Sequence, residues 1–220
     1  MEKYYTDKPY GAVYSEDKKT LMIGNFELLQ YNVLPETKYL APKCWENLFL
    51  TRKITLPDGL LEIGDNAFAG CKNLMEVNIP RTVRRIGSGA FEQTKIQDVR
   101  IPEGVKVIEH DTFDGCFVLN SCLLPDSLER IEDHAFCGCY NATLFLYANK
   151  RRLNYIDPTA LGQYTKFVVR YPYQKEYMEA FPHYADRFYG MDANEETMRG
   201  KIYSPEGVIV HEYELNVVKD

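Results

Sequence analysis

Long apolar runs are missing from this chain. Leu144-Phe145-Leu146-Tyr147-Ala148 is typical of its longest, against the roughly 20 residues a membrane-spanning helix needs, so no membrane insertion is expected. The opening Met1-Glu2-Lys3-Tyr4-Tyr5-Thr6-Asp7 lacks the apolar segment of a secretion signal, and a cytoplasmic address follows as the expectation. An excess of base is also missing. With 26 Lys+Arg against 32 Asp+Glu, the net charge of −6 argues against broad binding to nucleic acid. Histidine is scarce at four residues (His110, His134, His183 and His211), and no Ser or Cys is placed beside one by pattern. No nucleophile elbow, phosphate loop or dinucleotide fingerprint occurs, so no enzyme and no cofactor are expected. Tyrosine vanishes from the middle: of 17, six lie in residues 4–39 and ten in 147–213, with Tyr140 alone between.

What is present is repetition. Leu56-Pro57, Ile79-Pro80, Ile101-Pro102 and Leu124-Pro125 recur at spacings of 23, 22 and 23. Six residues after each Pro stand Ile63, Ile86, Ile108 and Ile131, and five further on Phe68, Phe91, Phe113 and Phe136. Leu60, Val83, Val105 and Leu128 follow each Pro by three. Gly-Cys follows the Phe at Gly70-Cys71, Gly115-Cys116 and Gly138-Cys139, with Gln93-Thr94 the departure. A unit this short cannot bury its own apolar side, so each coil must stack on its neighbours, and the period lies in the range of leucine-rich repeats. The alternating residues Ile54/Leu56, Val77/Ile79, Val99/Ile101 and Cys122/Leu124 predict short strands with these side chains inward, ended by Pro. The Ile-x-x-x-Ala-Phe segment predicts a turn of helix or 3-10 helix opposite, its Phe filling the coil.

Weaker copies extend the array to about six coils over residues 31–165, through Leu34-Pro35, Leu40 and Trp45 upstream and Ile156 to Leu161 downstream. Ala12 to Met22 predicts a capping hairpin within residues 1–30. Phe167 to Pro172, then Tyr173, Tyr177, Met178 and Phe181 at helical spacing, predict a strand and helix sealing the array over 166–190. Residues 191–220 hold seven acids and three bases; Met191 to Arg199 reads as a polar linker or short helix and Gly200 to Tyr213 as a hairpin around Ser-Pro-Glu-Gly.

The string Ile-Pro-x-x-Val-x-x-Ile-x-x-x-Ala-Phe-x-Gly-Cys, found as Leu56 to Cys71, Ile79 to Thr94, Ile101 to Cys116 and Leu124 to Cys139, resembles the BspA-like leucine-rich repeat of bacterial surface and host-associated proteins. The expected fold is thus an α/β, right-handed leucine-rich-repeat solenoid with a parallel sheet on one face, short helical or 3-10 turns on the other, and capping elements. The resemblance implies non-catalytic binding, and for exported members adhesion to host or matrix proteins at the cell surface.

Cys71, Cys116 and Cys139 share one repeat position and read as small buried residues, as does Cys122 on its strand; Cys44 precedes the core Trp45, and Cys137 falls on an outward position. Six thiols so used suit a reducing compartment. His134, Cys137 and Cys139, with Cys116 one coil away, are zinc-type ligands, but Cys137 and Cys139 are expected to diverge; His110 and His134 occupy different repeat offsets; no metal site is expected. Asn141-Ala142-Thr143 matches a glycosylation acceptor only for a eukaryotic secretory route. Function is left to the outward strand positions, Thr55, Asn78, Arg100 and Leu123 in one column and Lys53, Glu76, Asp98 and Ser121 in the other. Leu123 is the apolar exception there, with Leu144 or Leu146 as its neighbour if the next coil keeps register. These eight residues are the expected surface for a protein partner, with self-association through the C-terminal extension as the alternative.

Overall fold

The structure, a computed structural model, describes residues 4–8, 10–25, 27–147, 152–194 and 199–214. The first and last residues of the chain, and Glu195 and Glu196 of the expected linker, lie outside that set. An antiparallel meander comes first: β1 (Tyr4–Asp7), β2 (Ala12–Ser15) and β3 (Thr20–Ile23). Each following coil contributes a longer strand and then a two-residue strand, with a Pro between the two in every coil but that of β14 and β15. These are β4 (Gln30–Asn32) and β5 (Tyr39–Leu40), β6 (Lys53–Thr55) and β7 (Glu62–Ile63), then β8 (Glu76–Asn78) and β9 (Arg85–Ile86). The array continues with β10 (Asp98–Arg100) and β11 (Val107–Ile108), β12 (Ser121–Leu123) and β13 (Arg130–Ile131), then β14 (Thr143–Leu146) and β15 (Tyr155–Ile156). Then β16 (Lys166–Arg170) leads through a 3-10 turn into α1 (Gln174–Ala180). After a second 3-10 segment come β17 (Phe188–Asn194), β18 (Arg199–Tyr203) and β19 (Ile209–Glu214). The result is a leucine-rich-repeat solenoid of about seven turns.

The longer strands stack in parallel on one face, as the period-2 alternation predicts. The short strands form a second parallel ladder, which begins where β3 pairs with β5. Along the Ile-x-x-x-Ala-Phe segment the 3-10 character is present as single turns rather than a continuous helix. Ala67, Ala69 and Cys71 donate to the carbonyls three residues back, whereas Asn66, Phe68 and Gly70 donate across to Ser88, Glu92 or Ala90 of the next coil. Alternate amides thus close turns and build a third ladder between coils. A helix would spend every amide within its own coil.

Inside, the ring positions form one aromatic column. Trp45, Phe68, Phe91, Phe113 and Phe136 stack at centroid separations of 5.3–5.4 Å with small interplanar angles. Each such contact adds about 1 kcal/mol beyond the area it buries. The tyrosine-rich ends close this column. Tyr31 stands edge-on to Trp45, and its hydroxyl bonds both Tyr14 and Asp7. At the far end Tyr177 and Phe181 of the α1 region pack on Phe188, which itself stacks on Phe167. Met191 to Asn194 continue β17, correcting the expected linker or short helix. Their register opposite Arg199 to Ile202 of β18 gives those backbone groups a ladder to join.

The 22-residue copy breaks two of the three ladders. Among the described residues β8 pairs only with β6 and β10 only with β12, and the second ladder divides between β9 and β11. One cause is local. One residue is missing between Phe91 and β10, so Lys95 N–H rather than a strand amide reaches back to Leu74 C=O, at 2.9 Å. On the other side of β8, the Asn78 amide bonds the main chain of Leu56 in the preceding coil, accepting from its N–H at 2.9 Å and donating to its C=O at 3.2 Å. The turn ladder crosses this junction intact through Gly89, Phe91 and Gln93. Arg85 reinforces it, bonding Glu62 and Asp65 on one side and Glu109 on the other at 2.6–2.9 Å. Burial works against its charge, but these hydrogen bonds prevail and raise the guanidinium above its ordinary pKa.

Candidate binding face

Parallel pairing fixes which outward side chains meet. Lys53 aligns with Glu76 and Thr55 with Asn78; beyond the junction Asp98 aligns with Ser121 and Arg100 with Leu123. The eight residues expected on this face are therefore brought together as two groups of four, not one continuous sheet. In the first group Lys53 Nζ pairs with Glu76 at 2.7 Å, and the Asn78 amide is engaged by Leu56. In the second, Ser121 Oγ donates to Asp98 at 2.5 Å. Between the groups lies an open cleft of about 520 Å³ bounded by Lys53, Thr55, Glu76, Asn78 and Asp98, with Val77 half-buried at its floor.

The neighbour of Leu123 is Phe145. Cys122 pairs with Leu144, and both are buried, so Leu144 and Leu146 point inward, contrary to the expectation for that strand. With no Pro to mark the fifth strand, its register was invisible in the repeat pattern. Arg100, Leu123 and Phe145 thus lie in register on β10, β12 and β14. Arg100 has no side-chain partner among the described residues. Further along, Phe145, Val168, Tyr189, Ile202 and Val210 line a hollow of about 490 Å³, where Lys166 Nζ lies 5.3 Å from the Tyr189 ring. The face is polar at its N-terminal end and apolar at its C-terminal end.

A second groove, of about 670 Å³, runs along the coil edge after the aromatic column; the repeat alignment gave no hint of it. Lys72, Lys95 and Asp114 flank it, and the exposed Phe117 and Tyr140 stack across adjacent coils at 5.8 Å. Cys137 also lines it and is the exposed thiol; partial burial and the charges of Asp114 and Asp111 push its pKa up. The other five thiols are buried, as their repeat positions predict. The zinc-type set around Cys137 and Cys139 does not assemble, since Cys139 is turned inward to bond Phe113 C=O. His134 instead meets His110 and Asp133.

Comparison with known proteins places the fold. The chain resembles the pneumococcal vaccine antigen PcpA, with a TM-score of 0.69 at 19% identity over 85% of this chain and 46% of that one. A leucine-rich repeat protein from Eubacterium ventriosum matches with a TM-score of 0.58 at 20% identity, over 75% of this chain and 48% of its own. A leucine-rich cell surface protein from Faecalibacterium prausnitzii gives 0.53 at 20% identity, over 77% and 55%. The chain spans about half the length of these structures. Among curated proteins none is similar enough in sequence to match. The BspA type leucine-rich repeat region matches in six copies over residues 38–163, more than half of the chain. With its coils, aromatic column and parallel ladders built from those copies, the chain belongs to the BspA-type leucine-rich-repeat family.

Proposed function

We propose that this protein is a non-catalytic binding module that takes a protein partner on its strand face, centred on Arg100, Leu123 and Phe145. The observation that carries this reading is their alignment on three consecutive strands, an unpaired guanidinium beside two half-buried apolar side chains. Arginine and aromatic residues in a partly desolvated setting supply most of the binding energy at protein interfaces. The cleft beside β8 and the polar residues Lys53, Thr55, Glu76, Asn78, Asp98 and Ser121 form the rim. The partner best suited has an acidic group next to an apolar patch. Repeat families of this kind act as interaction modules, and their concave or flat strand faces are extended docking surfaces. If the chain is exported, the same face would serve adhesion to a host or matrix protein.

The test compares capture by wild type with capture by Arg100→Glu/Leu123→Ser/Phe145→Ser and by Lys53→Glu/Glu76→Lys. All three chains are first checked for unchanged melting. A partner held by wild type and lost by the triple variant, with a smaller loss from the swapped ion pair, supports the reading. A partner held equally by all three moves the site elsewhere and overturns it.

A second reading, self-association, rests on β19, which ends its sheet and carries exposed Ile209 and Val210 beside exposed Val208. A strand that ends its sheet among the described residues and carries apolar side chains is the physical route to pairing between copies.

A further inference from the structure

Residues 110–111 and 133–134 occupy the same two positions of consecutive turns, but with their chemistry exchanged: His-Asp in one coil faces Asp-His in the next. The turn ladder holds the two backbones together, Asp111 N–H donating to Asp133 C=O at 3.2 Å and Phe113 N–H to Ala135 C=O at 2.8 Å. His110 Nδ1 lies 2.9 Å from Asp133, His110 Nε2 lies 2.6 Å from Asp111, and His134 Nδ1 lies 3.6 Å from the other Asp111 oxygen. The two imidazole centroids are 6.1 Å apart.

We propose that this checkerboard is a binding site for one divalent transition-metal ion of the zinc class. One donor atom each from His110, Asp133 and His134 lies within 4.8 Å of the other two. A tetrahedral ion with bonds of about 2.0–2.2 Å sets its donors about 3.3–3.6 Å apart, so modest side-chain rotation closes the set. Both imidazoles and Asp133 are about half exposed, which permits that rotation. Asp111 touches both rings and serves as fourth ligand or as the carboxylate that orients an imidazole. Two imidazoles with carboxylates suit zinc, nickel or copper; magnesium and calcium prefer oxygen alone. A lattice of plain ion pairs is the competing account, and it works best with both rings protonated. Coordination requires both neutral, which makes the two experimentally separable. A bound ion would tie two consecutive coils together and raise the melting temperature with metal concentration.

The experiment strips the full chain with chelator and titrates zinc against a chromogenic competitor, with cobalt as a spectroscopic substitute. The expected result is one equivalent per chain, a higher melting temperature with zinc, and a cobalt spectrum lacking thiolate charge transfer. His110→Asn and His134→Asn should each weaken binding tenfold or more, and Asp111→Asn by about tenfold. Cys137→Ser should bind as wild type. No stoichiometric equivalent in wild type, undiminished binding in the double His110→Asn/His134→Asn variant, or loss in Cys137→Ser would each overturn the proposal. If the variants melt early, imidazole NMR of the unmutated chain decides. Zinc must shift two of its four histidine ring systems, and no shift removes the site.

Discussion

Cys71, Thr94, Cys116 and Cys139 each stand three residues after a ring of the aromatic column. The three thiols donate to the main-chain carbonyl of the ring residue one coil earlier, at Trp45, Phe91 and Phe113, over 2.9–3.2 Å. Thr94, in the shortened copy, bonds Phe91 of its own coil instead. At Gly138 the glycine before Cys is fixed by the same closeness, since a Cβ there would collide with the Gly115 backbone, whereas Gly70 and Gly115 sit at positive φ. Burial pushes the Cys71 thiol up to about 11, leaving on the order of a thousandth of it as thiolate at pH 8. A thiol reagent applied to the native protein at pH 8 should therefore label one cysteine, Cys137, and the remaining five only after denaturant is added. Because the pKa of Cys137 is itself raised, its labelling rate should keep climbing with pH past the range where an ordinary free thiol levels off. Two or more fast thiols in the native state would contradict the buried ladder. Burial at these positions was legible in the sequence because it follows from alignment alone. The meeting of His110 with His134 was not, since a simple offset comparison treats residues one place apart as separated, whereas Asp111 bridges both rings.

At the scale of elements the decisive feature is the junction between the β8–β9 coil and the β10–β11 coil. Main-chain ladders on two sides stop there, and the turn ladder with Arg85 carries the connection. Open backbone groups and few bonds mark a segment that opens locally below the cost of global unfolding. Hydrogen exchange should show it: the amides of Ile79 and Asp98 should exchange about tenfold faster than Ile101 and Ser121, their counterparts one coil later. Those counterparts donate to Leu123 and Gln97 carbonyls. Equal protection at all four would mean that β8 and β10 pair in solution. The sign of this break was printed in the sequence as a spacing of 22 and as Gln93-Thr94 in place of Gly-Cys. Its consequence was not readable, because spacing does not show which amide, here that of Lys95, will take the Leu74 carbonyl. Residues 191–194 escaped for a similar reason: a polar stretch with no repeat to follow becomes a strand only when β18 supplies the partner.

On the scale of the whole molecule, coils alone would leave two open ends, and the uneven tyrosines reflect how each is closed. Tyr14 and Tyr31 cover the first ring, while Tyr177 and Tyr184 bury themselves near the last. The sheet then runs on past its cap into β18 and β19, leaving an apolar edge. Light scattering separates the two functional readings at this scale. If β19 pairs between copies, wild type should run as a dimer and Val208→Glu/Val210→Glu as a monomer. A monomer for both would remove self-association and leave the strand face as the working surface. No helix among the described residues is long and apolar enough to cross a membrane.

The interrupted ladders also give the molecule a mechanical grain. Pulled along its stacking axis, most of the array must break two strand ladders and a turn ladder together at a coil boundary. Between β8 and β10 the main-chain bonds are those of the turn ladder and Lys95, and side chains add the Arg85 ion pairs, Arg84 on Glu103 C=O, Ser88 on Glu109, and the Cys116 thiol on Phe91 C=O. Under tension the chain is built to part there first, into an N-terminal stack sealed by tyrosines and a C-terminal stack sealed by α1, each keeping its own column of rings.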